Sequence, residues 1–60
     1  MRVLDRNGNE VKRGDIVWRG RKPYIFISCD GHRIEAVSTD DRRMFMWFLP
    51  HDLNLTLEAE

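Results

Sequence analysis

Residues 24–39 read YIFISCDGHRIEAVST. Two runs rich in β-branched and aromatic residues flank an Asp-Gly pair, which supplies the positive backbone dihedrals that a tight hairpin turn needs. The stretch therefore predicts two antiparallel strands, at residues 24–29 and 34–39, joined by a loop at residues 30–32.

On both sides of this hairpin, short apolar runs alternate with turn residues. Further strand-like runs occur at residues 3–4, 16–18, 44–49 and 53–57. In the last run three leucines alternate with polar residues, which is the period of a half-buried strand. Because Pro50 cannot donate to a sheet ladder, a single 3-10 turn is expected before the last strand. The pattern predicts an all-β fold of five or six short strands in a small, partly open antiparallel barrel.

This order of elements resembles an SH3-like barrel over nearly the whole chain. A second set of turn and strand positions comprises Asp5, Gly8, Val11, Gly14-Asp15, Val17, Gly20 and Leu49-Pro50. In these positions the chain is similar to small proteins encoded by bacteriophages and prophages, most of which have no assigned function. The resemblance implies an accessory protein that acts on a host protein in the bacterial cytoplasm.

Chain length and composition limit the function classes. Sixty residues with 42% apolar side chains are expected to form one domain, residues 1–60, with one thin core and no deep cavity. One cysteine excludes an internal disulfide and fits a reducing compartment. The first ten residues lack the apolar run of a signal peptide, and no long apolar stretch follows. We therefore expect a cytoplasmic protein without membrane contact.

The segment MFMWFL, at residues 44–49, is the candidate protein-binding site, because it is apolar on both faces of a strand. A period of two places Phe45, Trp47 and Leu49 on one face and Met44, Met46 and Phe48 on the other. Since Leu49 should turn inward ahead of Pro50, the first set is expected inside and the second outside. Tyr24 then joins the exposed set, and aromatic residues and Met are favoured at interfaces. The alternative is that the loop at residues 7–13 covers the outward set as a second small core.

The same reasoning predicts the main core. Branched side chains at residues 25 and 27 suit a core, which would leave Tyr24 and Phe26 outside or beneath the loop. The predicted core members, besides one face of residues 44–49, are Val3, Val17, Ile25, Ile27, Ile34, Ala36, Leu53 and Leu55.

A basic hairpin provides the alternative site, for nucleic acid. Its residues are Lys12, Arg13, Trp18, Arg19, Arg21 and Lys22. Cations interleaved with aromatic rings suit phosphate contact and base stacking. Gly14-Asp15-x-Val17 and Gly20 resemble the opening of the KOW element of RNA-associated barrels, although Arg21-Lys22-Pro23 replaces the second Lys-Gly. The net charge of zero, divided as +4 over residues 1–33 and −4 over residues 34–60, disfavours this alternative.

Residues that could support metal binding or catalysis are few. Cys29, Asp30 and His32, with His51 and Asp52, provide half of a zinc site at most. No glycine-rich segment joins a strand to a helix, so no nucleotide fingerprint is present. We expect no catalytic residues, metal or cofactor. The sequence predicts a non-enzymatic binding module with a protein partner, present as a monomer or weak homodimer, and nucleic acid is the alternative partner.

Overall fold

Apolar runs bounded by turns form six strands in the computed structural model, which describes residues 2–59. The strands are β1 (Arg2–Leu4), β2 (Ile16–Arg19), β3 (Lys22–Asp30), β4 (Arg33–Ser38), β5 (Phe45–Phe48) and β6 (Thr56–Glu58), and a 3-10 turn (Pro50–Leu53) precedes β6. Strands account for 52% of the structure, and residues 2–59 contain no α-helix. The all-β class, the strand count and the 3-10 turn are confirmed. Positions 1 and 60 of the predicted domain lie outside the described residues.

The strands form two antiparallel sheets. One sheet has the order β2-β3-β4-β5, and the other pairs β1 with β6. Arg2 lies opposite Glu58 in the small sheet, and the two side chains form an ion pair. The sheets do not close into a barrel. Within residues 2–59, β2 and β5 are therefore edge strands with no strand beyond them.

Gly14 directs the chain into β2. Its φ of +97° is accessible to glycine but strained for other residues. In this conformation the Gly14 N–H donates to the Phe26 carbonyl at 2.9 Å, while the Phe26 N–H donates to the Asp15 carbonyl at 2.8 Å. Gly14 and Asp15, directly before β2, thus oppose the single residue Phe26 of β3, which anchors the start of β2 on β3.

A β-bulge changes which residues of β3 face the core. Phe26 lies opposite Ala36 and Ser28 lies opposite Glu35, so Ile27 is an extra residue in the strand. Tyr24 and Phe26 face inward before the bulge, and Cys29 packs on the core after it. A strict alternation along residues 24–29, as the sequence predicts, is therefore interrupted at Ile27.

The core lies between the inner face of the four-stranded sheet and a layer formed by β1, β6 and the 3-10 turn. Its buried members are Val3, Val17, Tyr24, Phe26, Ile34, Ala36, Phe48, Leu53 and Leu55. Six of the eight predicted core residues are confirmed. The prediction is wrong for Ile25 and Ile27, which are half-buried. Tyr24 and Phe26 occupy the core instead, because the register places them opposite the buried Val17 and Ala36.

The predicted orientation of β5 is also wrong. Phe48 is 5% exposed, whereas Phe45 and Trp47 are 58% and 49% exposed. The register explains this result, because Phe48 lies opposite Ile34 and Met46 lies opposite Ala36, and both β4 residues are fully buried. Directly opposite residues share a sheet face, so Met46 and Phe48 must face the core. The inward turn expected of Leu49 does not occur: Leu49 is 47% exposed, and the buried leucines that follow it are Leu53 and Leu55.

Candidate protein-interaction surface

Four apolar side chains form a row across the outer face of the four-stranded sheet. Ile16 pairs with Ile25, Ile25 with Val37, and Val37 with Phe45. Each strand contributes one residue to this row, and residues paired in this way project on the same side of a sheet. The row lies opposite the core, because the neighbouring residues Val17, Tyr24, Ala36 and Met46 pack inward.

Two tryptophans extend the row at its ends. Trp18 follows Ile16 by two residues on β2, and Trp47 follows Phe45 by two residues on β5. A two-residue step keeps a side chain on the same face of a strand. We call this surface the outer face; its residues are Ile16, Trp18, Ile25, Val37, Phe45 and Trp47.

Val37 shows that the outer face is packed at its centre. It is only 5% exposed, yet it does not belong to the core cluster. Its burial is explained by Ile25 and Phe45, which flank it on the neighbouring strands. The outer face thus has a dry centre and large side chains with about half of their surface in solvent at its edges.

The exposed apolar area is large for a chain of this size. Trp18, Phe45 and Trp47 are each about half exposed. Aromatic side chains have roughly 150–250 Å² each, so these three rings expose about 300 Å² together. Large apolar side chains that stay exposed on one sheet face in this way often mark interaction sites.

The loop that the sequence offered as a possible cover lies elsewhere. Val11 donates its N–H to the Val3 carbonyl at 2.7 Å, and Leu4 forms a bridge with Glu10. These contacts hold the loop at residues 7–13 against β1 and not over the outer face. The alternative of a second small core beneath this loop is therefore wrong.

Charge on the outer face is small and balanced. The Arg33 guanidinium carbon lies 4.9 Å from the centroid of the Trp47 ring. Glu35 lies directly opposite Trp47 on β4 and is half-buried. One cation and one anion thus border the same aromatic ring, which disfavours a strongly charged ligand at this point.

The predicted protein-binding residues do not form one patch. Phe48 and Tyr24 are buried against one another, with ring centroids 4.9 Å apart in an edge-to-face arrangement. Met46 is half-buried against the core, and Met44 alone is exposed. The interpretation of Tyr24, Met46 and Phe48 as surface residues is wrong, because the register with β4 and the β3 bulge place them inside. A sequence signal for part of the outer face did exist in the two-residue spacing of Ile16 and Trp18.

The basic hairpin residues are divided between the two sides of the sheet. Arg19 lies 5.6 Å from the Phe48 ring centroid, and the Lys22 ammonium lies 5.6 Å from the Tyr24 ring centroid. Both cations therefore cover inner-face aromatics, while Trp18 belongs to the outer face. Lys12, Arg13 and Arg21 are exposed in the adjoining loop and turn. Trp18 is thus separated from the cations that flank it in sequence.

The Cys29 environment disfavours nucleophilic chemistry. Partial burial raises the pKa of the Cys29 thiol, and the adjacent Asp30 charge raises it further. Its Sγ lies 3.5 Å from the Gly31 carbonyl, to which it donates. His51 instead lies beside Asp52, with Nε2 at 3.4 Å from Oδ1. Within residues 2–59, no three His, Cys, Asp or Glu side chains come together as metal ligands.

An open groove of about 600 Å³ follows the free edge of β2. Its walls are the β1–β2 loop and the end of the 3-10 turn, and it is larger than the chain length suggests. Asp5 and Asp15 line it, but their carboxylates are engaged in turns. Asp5 Oδ1 accepts from the Asn7 and Asn9 N–H groups at 2.8 and 2.9 Å, and Asp15 Oδ2 accepts from Lys12 N–H at 2.9 Å. These carboxylates hold the loop in shape.

Comparisons with models of known families, with curated proteins and with solved structures find no match to this chain. In residues 2–59 no helix has the length and apolar character needed to cross a membrane. The outer face is therefore the feature from which a function is inferred.

Proposed function

We propose that this protein is a non-enzymatic module that binds another protein through the outer face. The observation that carries the proposal is the row of four apolar side chains, one from each strand, flanked by two half-exposed tryptophans. Trp and other aromatic residues are enriched at protein interfaces and dominate their binding energy.

The rigidity of the surface supports this role. Every outer-face residue lies on a strand of the paired sheet, and Val37 is packed between its neighbours. The backbone beneath the outer face is thus already ordered by strand pairing, which lowers the entropic cost of association. A flat, preorganised apolar face of this kind suits a structured protein partner.

Charge favours protein over nucleic acid. A nucleic-acid platform needs cations around its stacking rings to contact phosphate. Here Arg33 lies on the Trp47 ring, but Glu35 borders the same ring, and Arg19 and Lys22 lie on the inner side of the sheet. The net charge is zero as well. Nucleic acid remains the second candidate because exposed rings on a sheet face also stack bases.

The proposed setting follows from the layout resemblance to small bacteriophage and prophage proteins. In that setting the protein acts in the bacterial cytoplasm as an accessory factor, and its partner is a host or phage protein. No cofactor is part of the proposal, and the chain works as a monomer or weak homodimer.

The experiment compares capture of partners from bacterial lysate by the wild type and by Trp18→Ser and Phe45→Ser. Met44→Ser is the matched control, because Met44 is equally exposed but is not part of the outer face. We expect the wild type and the Met44→Ser control to capture one discrete protein. Both outer-face variants should bind this protein at least tenfold more weakly, which is a loss of about 1.4 kcal/mol of binding free energy. Thermal melts establish that each variant is folded.

A nuclease arm and an oligonucleotide arm distinguish the two candidates. Capture by the proposed mechanism persists after nuclease treatment. Two results would assign the outer face to nucleic acid instead. One is capture that is lost after nuclease treatment, and the other is submicromolar binding of a labelled single strand whose log affinity falls linearly with log salt concentration. Equal capture by the wild type and both face variants would show that the outer face is not the binding site.

A further inference from the structure

The backbone groups at the free edge of β5 can be assigned from the sheet register. The Ser38 N–H donates to the Met44 carbonyl at 3.2 Å, so residues 38 and 44 form a hydrogen-bonded pair. Such pairs alternate along an antiparallel ladder, and Ala36–Met46 and Ile34–Phe48 are the next members of the series. Met46 and Phe48 thus direct their N–H and C=O groups toward β4. Phe45 and Trp47 direct theirs away from the sheet, where no strand lies within residues 2–59.

Apart from its short length of four residues, this edge lacks the features that usually prevent strand addition. Sheet edges are commonly protected by a charged residue, a proline, a bulge or a covering segment. The sequence of β5 is FMWF, which has no charge and no proline, and its register with β4 is regular. The opposite edge differs, because β2 contains Arg19 and is bordered by the groove-forming loop and the 3-10 turn.

We propose that β5 pairs antiparallel with β5 of a second copy of this chain, about a two-fold axis at Met46. The sheets of the two copies then form one eight-stranded sheet. This proposal concerns the edge of the sheet and does not depend on the proposed function of its outer face.

The register follows from the direction of the backbone groups. Only residues with outward N–H and C=O groups can form hydrogen-bonded pairs with the second copy. Centring the pairing at Met46 places Phe45 opposite Trp47 of the second copy and Trp47 opposite its Phe45. With the two-fold axis at Met46, two hydrogen-bonded residue pairs form within the four-residue strand. With the axis at Phe45 or at Trp47, the neighbouring positions that also bring outward backbone groups together, only one such pair forms. This register also brings Phe45 and Trp47 of one copy onto the same two rings of the other, and that aromatic match favours a second copy over an unrelated strand.

The side chains fit the same arrangement. Phe45 and Trp47, both about half exposed, meet as two cross-strand aromatic pairs. The two outer faces become continuous across the axis.

The size of the contact predicts a weak dimer. Stable interfaces bury about 800 Å² on each partner, which is close to a fifth of the 4423 Å² surface of this chain. A pair of four-residue strands buries less than this. We therefore expect dissociation constants of about 10 μM to 1 mM, in the affinity range of small transient contacts.

The test uses proline at an outward backbone position. Trp47→Pro removes the ring and the outward N–H, while Trp47→Thr removes the ring and keeps the N–H. Neither variant removes a β4–β5 hydrogen bond, and proline is tolerated on edge strands. Ile16→Pro is the matched control at the other edge, where the Ile16 N–H also points outward. Sedimentation velocity from 10 μM to 1 mM measures association, in the concentration range set by the expected affinity.

We expect the wild type and Ile16→Pro to dimerise and Trp47→Thr to dimerise more weakly. The dimerisation constant of Trp47→Pro should be about tenfold lower again, because two hydrogen bonds disappear from each dimer. Equal association of the Thr and Pro variants would overturn the proposal and indicate packing through the outer face. A wild type that stays monomeric at 1 mM would overturn it as well.

Amide hydrogen exchange of the wild type tests the proposal even if a proline variant does not fold. The Phe45 and Trp47 amides should become protected as concentration rises, while those of Ile16 and Trp18 should not. A dimer without this protection excludes the edge. Trp18→Ser separates the two proposals, since it should weaken binding of the protein partner and leave dimerisation unchanged.

Discussion

Replacing Phe48 tests which face of β5 carries the core. Phe48 is 5% exposed, its ring lies 4.9 Å from that of Tyr24, and it is opposite the fully buried Ile34. Emptying a buried phenylalanine site costs about 3–5 kcal/mol. A domain of this length has roughly 3–9 kcal/mol of unfolding free energy in total. Phe48→Ala should therefore unfold much of the protein at room temperature.

Phe48→Leu gives a measurable version of the same perturbation. Leucine keeps most of the buried volume but removes the edge-to-face contact with Tyr24, for an expected cost of about 1–1.5 kcal/mol. In a domain of this size each kcal/mol lowers Tm by roughly 4–8 °C, so the expected decrease is about 4–12 °C. Thermal and urea melts followed by far-UV circular dichroism measure this shift.

Trp47→Ala is the control on the other face of the strand. Half of this ring is already in solvent, so the expected loss comes mainly from the Arg33 contact at 4.9 Å. Such an exposed cation–π contact contributes about 0.5–1 kcal/mol. A loss of about 3 kcal/mol or more in Trp47→Ala, with no effect in Phe48→Leu, would refute the assignment of the two faces. Large losses in both would show that the outer face is not free.

Three further predictions concern the turns and the thiol. Gly14→Ala should cost about 1–2 kcal/mol in urea melts, because its φ of +97° strains alanine although no atom lies near the added Cβ. Asp5→Ala should cost about 1.5–3 kcal/mol, since its carboxylate accepts from two backbone N–H groups, and Asp5→Asn should recover much of this. Because burial and Asp30 raise the pKa of Cys29, its alkylation rate should rise at higher pH than that of a cysteine peptide. Because the folded state favours the neutral thiol, the free energy of unfolding should fall as pH rises above the ordinary pKa of cysteine. Cys29→Ala should remove this pH dependence of stability.

The elements of the fold were predictable because they depend on local chemistry. The hairpin of β3 and β4 follows from β-branched runs around Asp30-Gly31, and Gly31 takes a φ of +62° as that turn requires. Pro50 begins the 3-10 turn, and Asn54 ends it in the left-handed region at φ +56°. Each of these features is determined within a few residues, so the sequence alone indicates it.

The orientation of the strands was not predictable in the same way. A period of two shows that Phe45 and Trp47 share a face but not whether that face is inside. The choice is made by distant residues, since Ile34 and Ala36 are fully buried and the register forces their β5 partners inward. The bulge at Ile27 adds a second ambiguity, because one extra residue reverses the alternation along β3.

The candidate site was harder to foresee for a related reason. No local segment contains it, since the central row takes one residue from each of four strands and exists only through their register.

The edges of the sheet share a property that depends on the same alternation. In a strand, backbone direction and side-chain direction alternate together. On β2 the Phe26 N–H donates to the Asp15 carbonyl, so the backbone groups of Asp15 and, two residues on, Val17 point toward β3. Ile16 and Trp18 therefore direct their backbone groups outward, as Phe45 and Trp47 do on β5. At both edges, the residues with free backbone groups are therefore the residues whose large side chains lie on the outer face. A segment that adds to the β5 edge therefore meets hydrogen-bonding groups and apolar surface from the same residues.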